Sequence, residues 1–328
     1  MWQAALVFEA VGRARAAGIA VGVIADAVFG DPSRGHPVAL FGTGAAALER
    51  ISYADDRRAG AVHIVVLLGG VAGSGALVQW AARRGGAVTE SLCVAAATFV
   101  ALGGTSLART GDQMVRRLRA GDLESARALL PSLCGRDPSV LDSAGLTRAA
   151  CESIAENTSD AQVAPLLWAA VAGVPGVLLY RAANTLDAMI GHKSPRYRRF
   201  GWAAARFDDL LNLAAARLTG VFAVVCAPLV GGSPLSAVRA WRRDAHRHPS
   251  PNAGVAEASF AGALGVALGG PTQYAHELEI RPTLGDGRPP GVEDLARAVR
   301  LSRAVQFVAA GAALSVACRT GRRACLQA

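Results

Sequence analysis

Apolar residues run in long blocks along this chain, and polar residues interrupt them at only a few places. The blocks 61–82, 87–108, 162–180, 213–232 and 304–318 each approach the roughly 20 residues that a helix needs to cross a bilayer. The first is the strongest candidate span, and its Gly69/Gly73 spacing offers a small-residue contact. The Arg83-Arg84-Gly85-Gly86 turn separates it from the second block, so the two read as a helical hairpin. Segment 21–29 is shorter, is interrupted by Asp26 and reads as a further partial span. Block 162–180 carries Pro165, Gly173, Pro175 and Gly176, a composition that predicts a broken helix. Segment 109–150 reads as an amphipathic, cytoplasmic helical region, and helical periodicity returns over 293–318. Between them, 233–291 is more polar and rich in glycine and proline, which predicts loops around a small-residue helix over Ala258–Leu268. The expected fold is all-α: one membrane-embedded, polytopic helical bundle over 1–328, with broken or buried helices and a polar, loop-rich C-terminal third.

Composition supports a membrane protein. The chain is 52% hydrophobic, 18% charged and 5% aromatic, whereas soluble domains carry about a quarter charged residues. The net charge of +9 is carried by arginine, with Lys193 the single lysine. The arginines flank apolar blocks and form neither a basic helix nor an aromatic platform, so nucleic acid is not the expected partner. The larger arginine clusters, before the first span and after the second, are predicted to be cytoplasmic. Six cysteines without a C-x-x-C pair read as small buried hydrophobes. No cleaved signal peptide is expected at the N-terminus.

Against this background the polar clusters stand out. A bare carboxylate beside hydrocarbon is costly unless it is paired, binds a cation or lines a wet cavity. Glu152, Glu156 and Asp160 follow at i, i+4 and i+8, with Asn157 adjoining, so a helix would carry them as one mutually repelling acidic stripe. Asn184 and Asp187 share a helix face after Arg181, and Lys193 follows as a candidate phosphate contact. Asp208, Asp209 and Asn212, flanked by Arg206 and Arg217, suit a magnesium-phosphate grip or a set of arginine-neutralised aspartates. Asp26 and Asp31, ahead of Pro32 and His36-Pro37, could reach one cation or simply close a helix. Asn252-Ala253-Gly254 suits a turn at a helix N-terminus, with Glu257 beyond it. Ser159-Asp160 could instead cap a following helix. His246 and His248 have H-x-H spacing, which alone is weak evidence for a metal. If block 162–180 crossed the bilayer fully, the clusters on either side of it would be separated. A broken helix pair that keeps them at one cavity is therefore favoured over a transporter-like site within the membrane.

In this order the motifs resemble the CobD/CbiB family of cobalamin biosynthesis, the adenosylcobinamide-phosphate (cobinamide) synthases. The resemblance runs through Asp26…Gly30-Asp31-Pro32…His36-Pro37, Glu152-Ser153…Ala155-Glu156-Asn157 and Arg181…Asn184-Thr185-Leu186-Asp187-Ala188-Met189…Gly191. It continues through Arg206…Asp208-Asp209…Asn212…Arg217-Leu218-Thr219 and Pro251-Asn252-Ala253-Gly254…Glu257. It implies a multi-pass inner-membrane ligase whose active site is reached from the cytoplasm. The implied reaction joins a propionate carboxylate of adenosylcobyric acid, a corrinoid, to aminopropanol or its O-phosphate, using ATP and Mg2+. The lipid bilayer and later membrane enzymes of the same pathway are the expected partners. Such a reaction needs an activated carboxylate, and magnesium and basic groups would offset charge on the transferred phosphoryl group.

Within that reading the catalytic candidates are Glu152, Glu156, Asp187, Asp208 and Glu257, the last as acceptor of the amine proton. Asn157, Asn184, Lys193, Arg206, Arg217, Asn252 and His36 are the substrate and phosphate candidates. Asp26, Asp31, Asp160 and Asp209 are the metal candidates, and Glu152, Glu156, Asp187 and Asp208 are further possible cation ligands. A membrane-embedded prenyl- or phosphotransferase would also want aspartate clusters, but the chain shows no second copy of Asp208-Asp209. A transporter would be expected to show repeat symmetry between its halves, and none is evident.

Overall fold

The computed structural model describes residues 2–32, 35–192, 194–273 and 278–326. Helix dominates, as the apolar blocks require. The helices are α1 (Trp2–Phe29), α2 (Pro37–Ser52), α3 (Arg57–Arg84), α4 (Ala87–Ala101), α5 (Gly104–Arg119), α6 (Leu123–Leu129) and α7 (Ser143–Thr158). They continue as α8 (Ala164–Ile190), α9 (Tyr197–Phe200), α10 (Trp202–Cys226), α11 (Pro234–Asp244), α12 (Ala253–Leu264) and α13 (Val292–Leu326). Two strands, β1 (Leu268–Gln273) and β2 (Leu278–Leu284), pair antiparallel. Starts follow local chemistry: Asp56 caps α3 by accepting from the Arg58 and Ala59 N–H groups, and Asp142 caps α7 by accepting from Gly145.

Five stretches among the described residues are long and apolar enough to cross a membrane: Arg57–Arg84, Ala87–Arg119, Ser143–Ile190, Trp202–Val230 and Val292–Arg319. Each overlaps one of the five predicted blocks. The first is the least buried, and Val62, Val65 and Leu77 stand on its open face. Large apolar side chains left open on a span suit contact with lipid.

The chain forms two compact units. Unit 1 comprises 1–103, 164–211 and 309–328; unit 2 comprises 104–163 and 212–308. In unit 1, α1 packs on α4 through Gly18 and Gly22. A Cβ at Gly18 would lie 2.6 Å from the Ser91 carbonyl oxygen, and one at Gly22 would lie 2.8 Å from the Thr98 Cβ. The predicted Gly69/Gly73 contact is not made, for nothing lies within 4 Å of a Cβ built at either position. On α3 the close approaches fall at Gly60, against the Phe200 backbone, and at Gly75, 2.8 Å from the Pro175 Cα. Glycine spacing alone did not tell which face meets a neighbour.

The break expected in block 162–180 is at Gly173, whose backbone leaves the helix at φ 66°, ψ −145°. Pro175 has no N–H, so the Val171 carbonyl loses its partner, and the Val174 N–H turns away from Ala170. Unit 1 supplies replacements. Gln79 Oε1 accepts from Val174 N at 2.8 Å, and Arg15 Nη1 donates to the Ala170 and Val171 carbonyls at 3.1 Å each. A helix can break inside apolar surroundings only when the freed backbone groups are met in this way.

In unit 2, α12 is buried along its whole length, and its small residues allow close packing. A Cβ at Gly262 would stand 2.4 Å from the Ser236 carbonyl oxygen on α11. Segment 233–291, predicted as loops around one helix, is only partly so: α11, α12 and the hairpin occupy much of it. The strands escaped notice because Gly269, Gly270, Pro271 and Pro282 are residue types depleted in strands. Ser159-Asp160 does not cap a new helix. Ser159–Val163 forms a π turn that continues from α7. The Thr158 hydroxyl, which bonds the Ile154 carbonyl, and Gln162 Nε2 also reach the Ser302 hydroxyl, at 2.7 and 2.9 Å, and so brace this turn.

Candidate functional site

The acidic stripe of α7 is the starting point of unit 2's polar cluster. Glu152 is buried, and both its oxygens are engaged: Oε2 accepts from Arg136 Nη2, and Oε1 accepts from Gly269 N at 2.7 Å. Arg136 lies between α6 and α7 and is itself buried. Although burial opposes it, the Glu152 carboxylate holds the Arg136 guanidinium above its ordinary value. The cost of burying Glu152 is thus met by a guanidinium and a backbone N–H. Glu156, one turn on, is half-buried. Asn157 folds back on its own helix, where Nδ2 donates to the Ser153 carbonyl at 2.9 Å and to its hydroxyl at 3.1 Å. Asp160 is half-buried in the π turn Ser159–Val163, which adds a residue to the register of the chain beyond it.

Glu257 on α12 is wholly buried, and among the described residues neither carboxyl oxygen accepts a hydrogen bond. His248 Nε2 and Arg281 Nη1 stand just beyond bonding distance of its Oε1, at 3.6 and 3.9 Å. Burial, reinforced by Glu152 and Glu156, pushes the Glu257 carboxyl well above the usual carboxylate range, against the pull of Arg281 and Arg136. Burial and the Arg281 charge hold the His248 imidazole below its usual value. Asn252, just before α12, accepts from Arg217 Nη1 at 2.7 Å, which brings two predicted substrate residues together. The Ser250 hydroxyl accepts from Asn252 N and from Ala253 N, the first residue of α12, while the Asn252 side chain makes no cap bond.

Unit 1 holds a second cluster. Asn184 Nδ2 donates to Asp208 Oδ1, and Arg181 Nη1 donates to Asn184 Oδ1, both at 3.4 Å. Asp208 is buried, and Arg181 Nε is buried without a hydrogen-bond partner among the described residues. Asp187 is half-buried at the end of α8, where its carbonyl accepts from Gly191 N at 2.7 Å. Arg206 is exposed and lies 3.8 Å from Asp209, an i, i+3 pair of the neutralising kind. Asp26 is buried on α1. Asp31 stands 3.8 Å from His36 Nε2, while His36 Nδ1 caps α2 by accepting from Val38 N. Lys193 lies outside the described residues.

A CobD/Cbib protein family model matches residues 19–302. The chain belongs to the CobD/CbiB family. The Cobalamin biosynthesis protein CobD of Mycobacterium bovis is 64% identical over 303 residues, covering 92% of this chain and 96% of the relative. The protein of the same name from Chromobacterium violaceum is 41% identical over 310 residues, again 92% of this chain and 96% of the relative. That of Geobacter metallireducens is 41% identical over 280 residues, 82% of this chain and 86% of the relative. No solved structure matches.

In this CobD/CbiB chain, the two clusters differ in chemistry. Among the described residues no three His, Cys, Asp or Glu side chains form a group able to hold a metal ion. Magnesium does not need one, because it is commonly held by one or two carboxylates plus substrate phosphates. The Asp208–Asn184 pair beside Arg181, whose Nε lacks a partner, fits that use. Unit 2 instead surrounds carboxyls with guanidinium groups and presents Glu257. Motif reading missed Arg136, Arg281 and the part played by His248. Arginines are scattered through the sequence, and only folding shows which of them are buried against a carboxylate.

Proposed function

We propose that the protein forms an amide bond in cobalamin biosynthesis. It joins a propionate carboxylate of adenosylcobyric acid to 1-amino-2-propanol or its O-phosphate, giving adenosylcobinamide or its phosphate. The observation that carries the chemistry is Glu257, a wholly buried carboxyl whose two oxygens accept no hydrogen bond among the described residues. Its raised pKa suits a general base that must take a proton from an ammonium group. The amine then has a free lone pair to attack the activated carbonyl carbon; the C–N bond forms and the former carboxylate oxygen departs with the activating group. Arg281 and Arg136 both favour its ionised form, which keeps Glu257 available to accept a proton despite its burial.

Magnesium-ATP would supply the phosphoryl group that activates the propionate. Asp208 and Asn184 are the residues proposed to hold the ion, and Arg181 to receive phosphate oxygens through its unpartnered Nε. Glu152 is assigned a structural task, because both its oxygens are engaged within the protein. The reading places the protein in the inner membrane, with its substrates arriving from the cytoplasm.

Purified protein in detergent, given adenosylcobyric acid, aminopropanol phosphate, ATP and Mg2+, should yield the corrinoid amide and ADP by mass spectrometry. A folded Glu257→Gln variant should lose about 10²–10⁴-fold in turnover, the usual contribution of a general base. If the wild type forms no corrinoid amide while a control synthase does so under the same conditions, the proposal fails.

A further inference from the structure

The sequence offers Arg206 as a phosphate contact, and the fold leaves its charge weakly met. Its side chain is 69% exposed, and among the described residues its one acidic neighbour is Asp209, at 3.8 Å, beyond hydrogen-bonding distance. Arg206 lies four residues, about 6 Å, inside the start of the candidate span Trp202–Val230. An arginine at that depth reaches back toward the headgroup level, where an anion can meet its charge.

An apolar groove runs beside it. Ile64, Val65 and Leu68 of α3, Leu179 of α8, and Phe207 and Leu210 of α10 line a space of about 530 Å³, all of it within unit 1. Val65 and Leu210 remain 70% and 60% exposed, so the groove opens on the outer face of the helices rather than into the core. Its one end is cationic because of how α3 and α10 begin. Gly60 lets α3 pass directly against the Phe200 backbone, so the two helices start side by side. The Arg57 guanidinium then lies 5.4 Å from the centre of the Trp202 ring. Trp202 lines the groove and is exposed, and Arg206 follows it by one turn on the same face of α10. Exposed tryptophan is a residue of the membrane–water interface. The acidic residues at this end are already engaged, for Asp56 caps α3 and Asp55 stands 3.8 Å from Arg199.

We propose that this groove holds an anionic phospholipid, with an acyl chain against α3 and α10 and its phosphate between Arg57 and Arg206. A cleft that is apolar along its length and basic at one end matches such a lipid in both its parts, since basic pockets between membrane helices take anionic headgroups. A guanidinium fork can grip two phosphate oxygens, which Asp209 at 3.8 Å does not offer. A choline headgroup would bring a third cation between the two arginines, so a net anionic lipid is preferred. Lipid binding here is independent of the reaction proposed above.

The test uses full-length protein stripped of lipid in detergent. It is given equal amounts of phosphatidylglycerol and phosphatidylcholine with the same chains, and retained lipid is counted by native mass spectrometry. Wild type should keep one phosphatidylglycerol with an affinity roughly ten- to thirtyfold above that for phosphatidylcholine, about fivefold for each arginine. Arg57→Gln combined with Arg206→Gln should bring the ratio to about twofold or less, while lysine at both positions should keep most of it. A Cβ at Gly69, which also lines the groove, meets nothing within 4 Å, so Gly69→Leu fills the groove without a clash. It should lower retention of both lipids roughly tenfold, the equivalent of losing two buried methylenes. Were the glutamine variant unstable without lipid, Gly69→Leu would still decide the groove.

Equal retention of the two lipids by wild type would overturn the proposal. So would a phosphatidylglycerol preference untouched in the glutamine variant, or lipid retention unaltered in Gly69→Leu. If inorganic phosphate alone raised the unfolding midpoint as much as phosphatidylglycerol does, the arginines would belong to a soluble anion. If Gly69→Leu broke a lipid-free dimer, the groove would belong to a second copy of the chain. Either result counts against a lipid.

Discussion

At the scale of single residues, the fate of each carboxyl is decided by what surrounds it. Glu152 and Glu257 are both buried acids, yet among the described residues Glu152 is paired on both oxygens and Glu257 on neither. Removing one partner of a buried ion pair leaves an uncompensated charge. Arg136→Met should therefore destabilise the protein by about 3–5 kcal/mol, seen as a lower midpoint of unfolding in detergent. Arg136→Met combined with Glu152→Gln should recover much of that loss, because no buried charge remains; if it does not, the pair contributes more than mutual compensation. His248 gives a pH prediction. Its folded-state pKa lies below the ordinary value of about 6.5, so the unfolded chain binds the proton more readily. The stability from the neutral ring is full above that value and is lost as pH falls toward the folded-state pKa. Thermal unfolding midpoints measured between neutral and mildly acid pH should fall less steeply in His248→Gln than in wild type.

At the scale of elements, the sequence showed most where apolar length and helix breakers act alone. The five blocks became the five candidate spans, and Gly173 with Pro175 marked the broken helix, because length, hydrophobicity and a missing N–H are local properties. The β1–β2 hairpin was hidden by its glycines and prolines, which read as loop whatever they pair with. The π turn was invisible too, since its bracing comes from Ser302, far along the chain. The candidate site divides in the same way. Glu257, Asn252 and Asp208 were legible as polar residues in apolar surroundings, whereas Arg136 and Arg281 needed tertiary contacts to stand out. The broken helix makes its own prediction. Gly173→Ala would force a side chain into a left-handed backbone and set its Cβ 2.2 Å from Gln79 Oε1. Backbone strain alone should cost about 1–3 kcal/mol. Gln79→Leu, which strands the buried Val174 N–H, should cost about 1–3 kcal/mol. Unfolding of both variants in detergent would check this, and near-neutral values would show that the break is held by other contacts.

At the scale of the whole molecule, the chain sets two kinds of polar chemistry in a predominantly apolar helical protein. Unit 2 offers a carboxyl suited to take a proton, supported by arginines and a histidine. Unit 1 offers a carboxylate–carboxamide–guanidinium set suited to a metal-bound phosphate. Amide synthesis from a carboxylate needs both tasks, activation of the acid and deprotonation of the amine. Membership of the CobD/CbiB family and the wide coverage of relatives described as cobalamin biosynthesis proteins place the chain in cobalamin biosynthesis. The most direct measurement uses adenosylcobyric acid carrying 18O in the reacting propionate, with ATP, Mg2+ and aminopropanol phosphate. The account predicts a corrinoid amide together with transfer of one 18O atom to inorganic phosphate. An amide formed without ATP, or with no 18O in the phosphate, would contradict it.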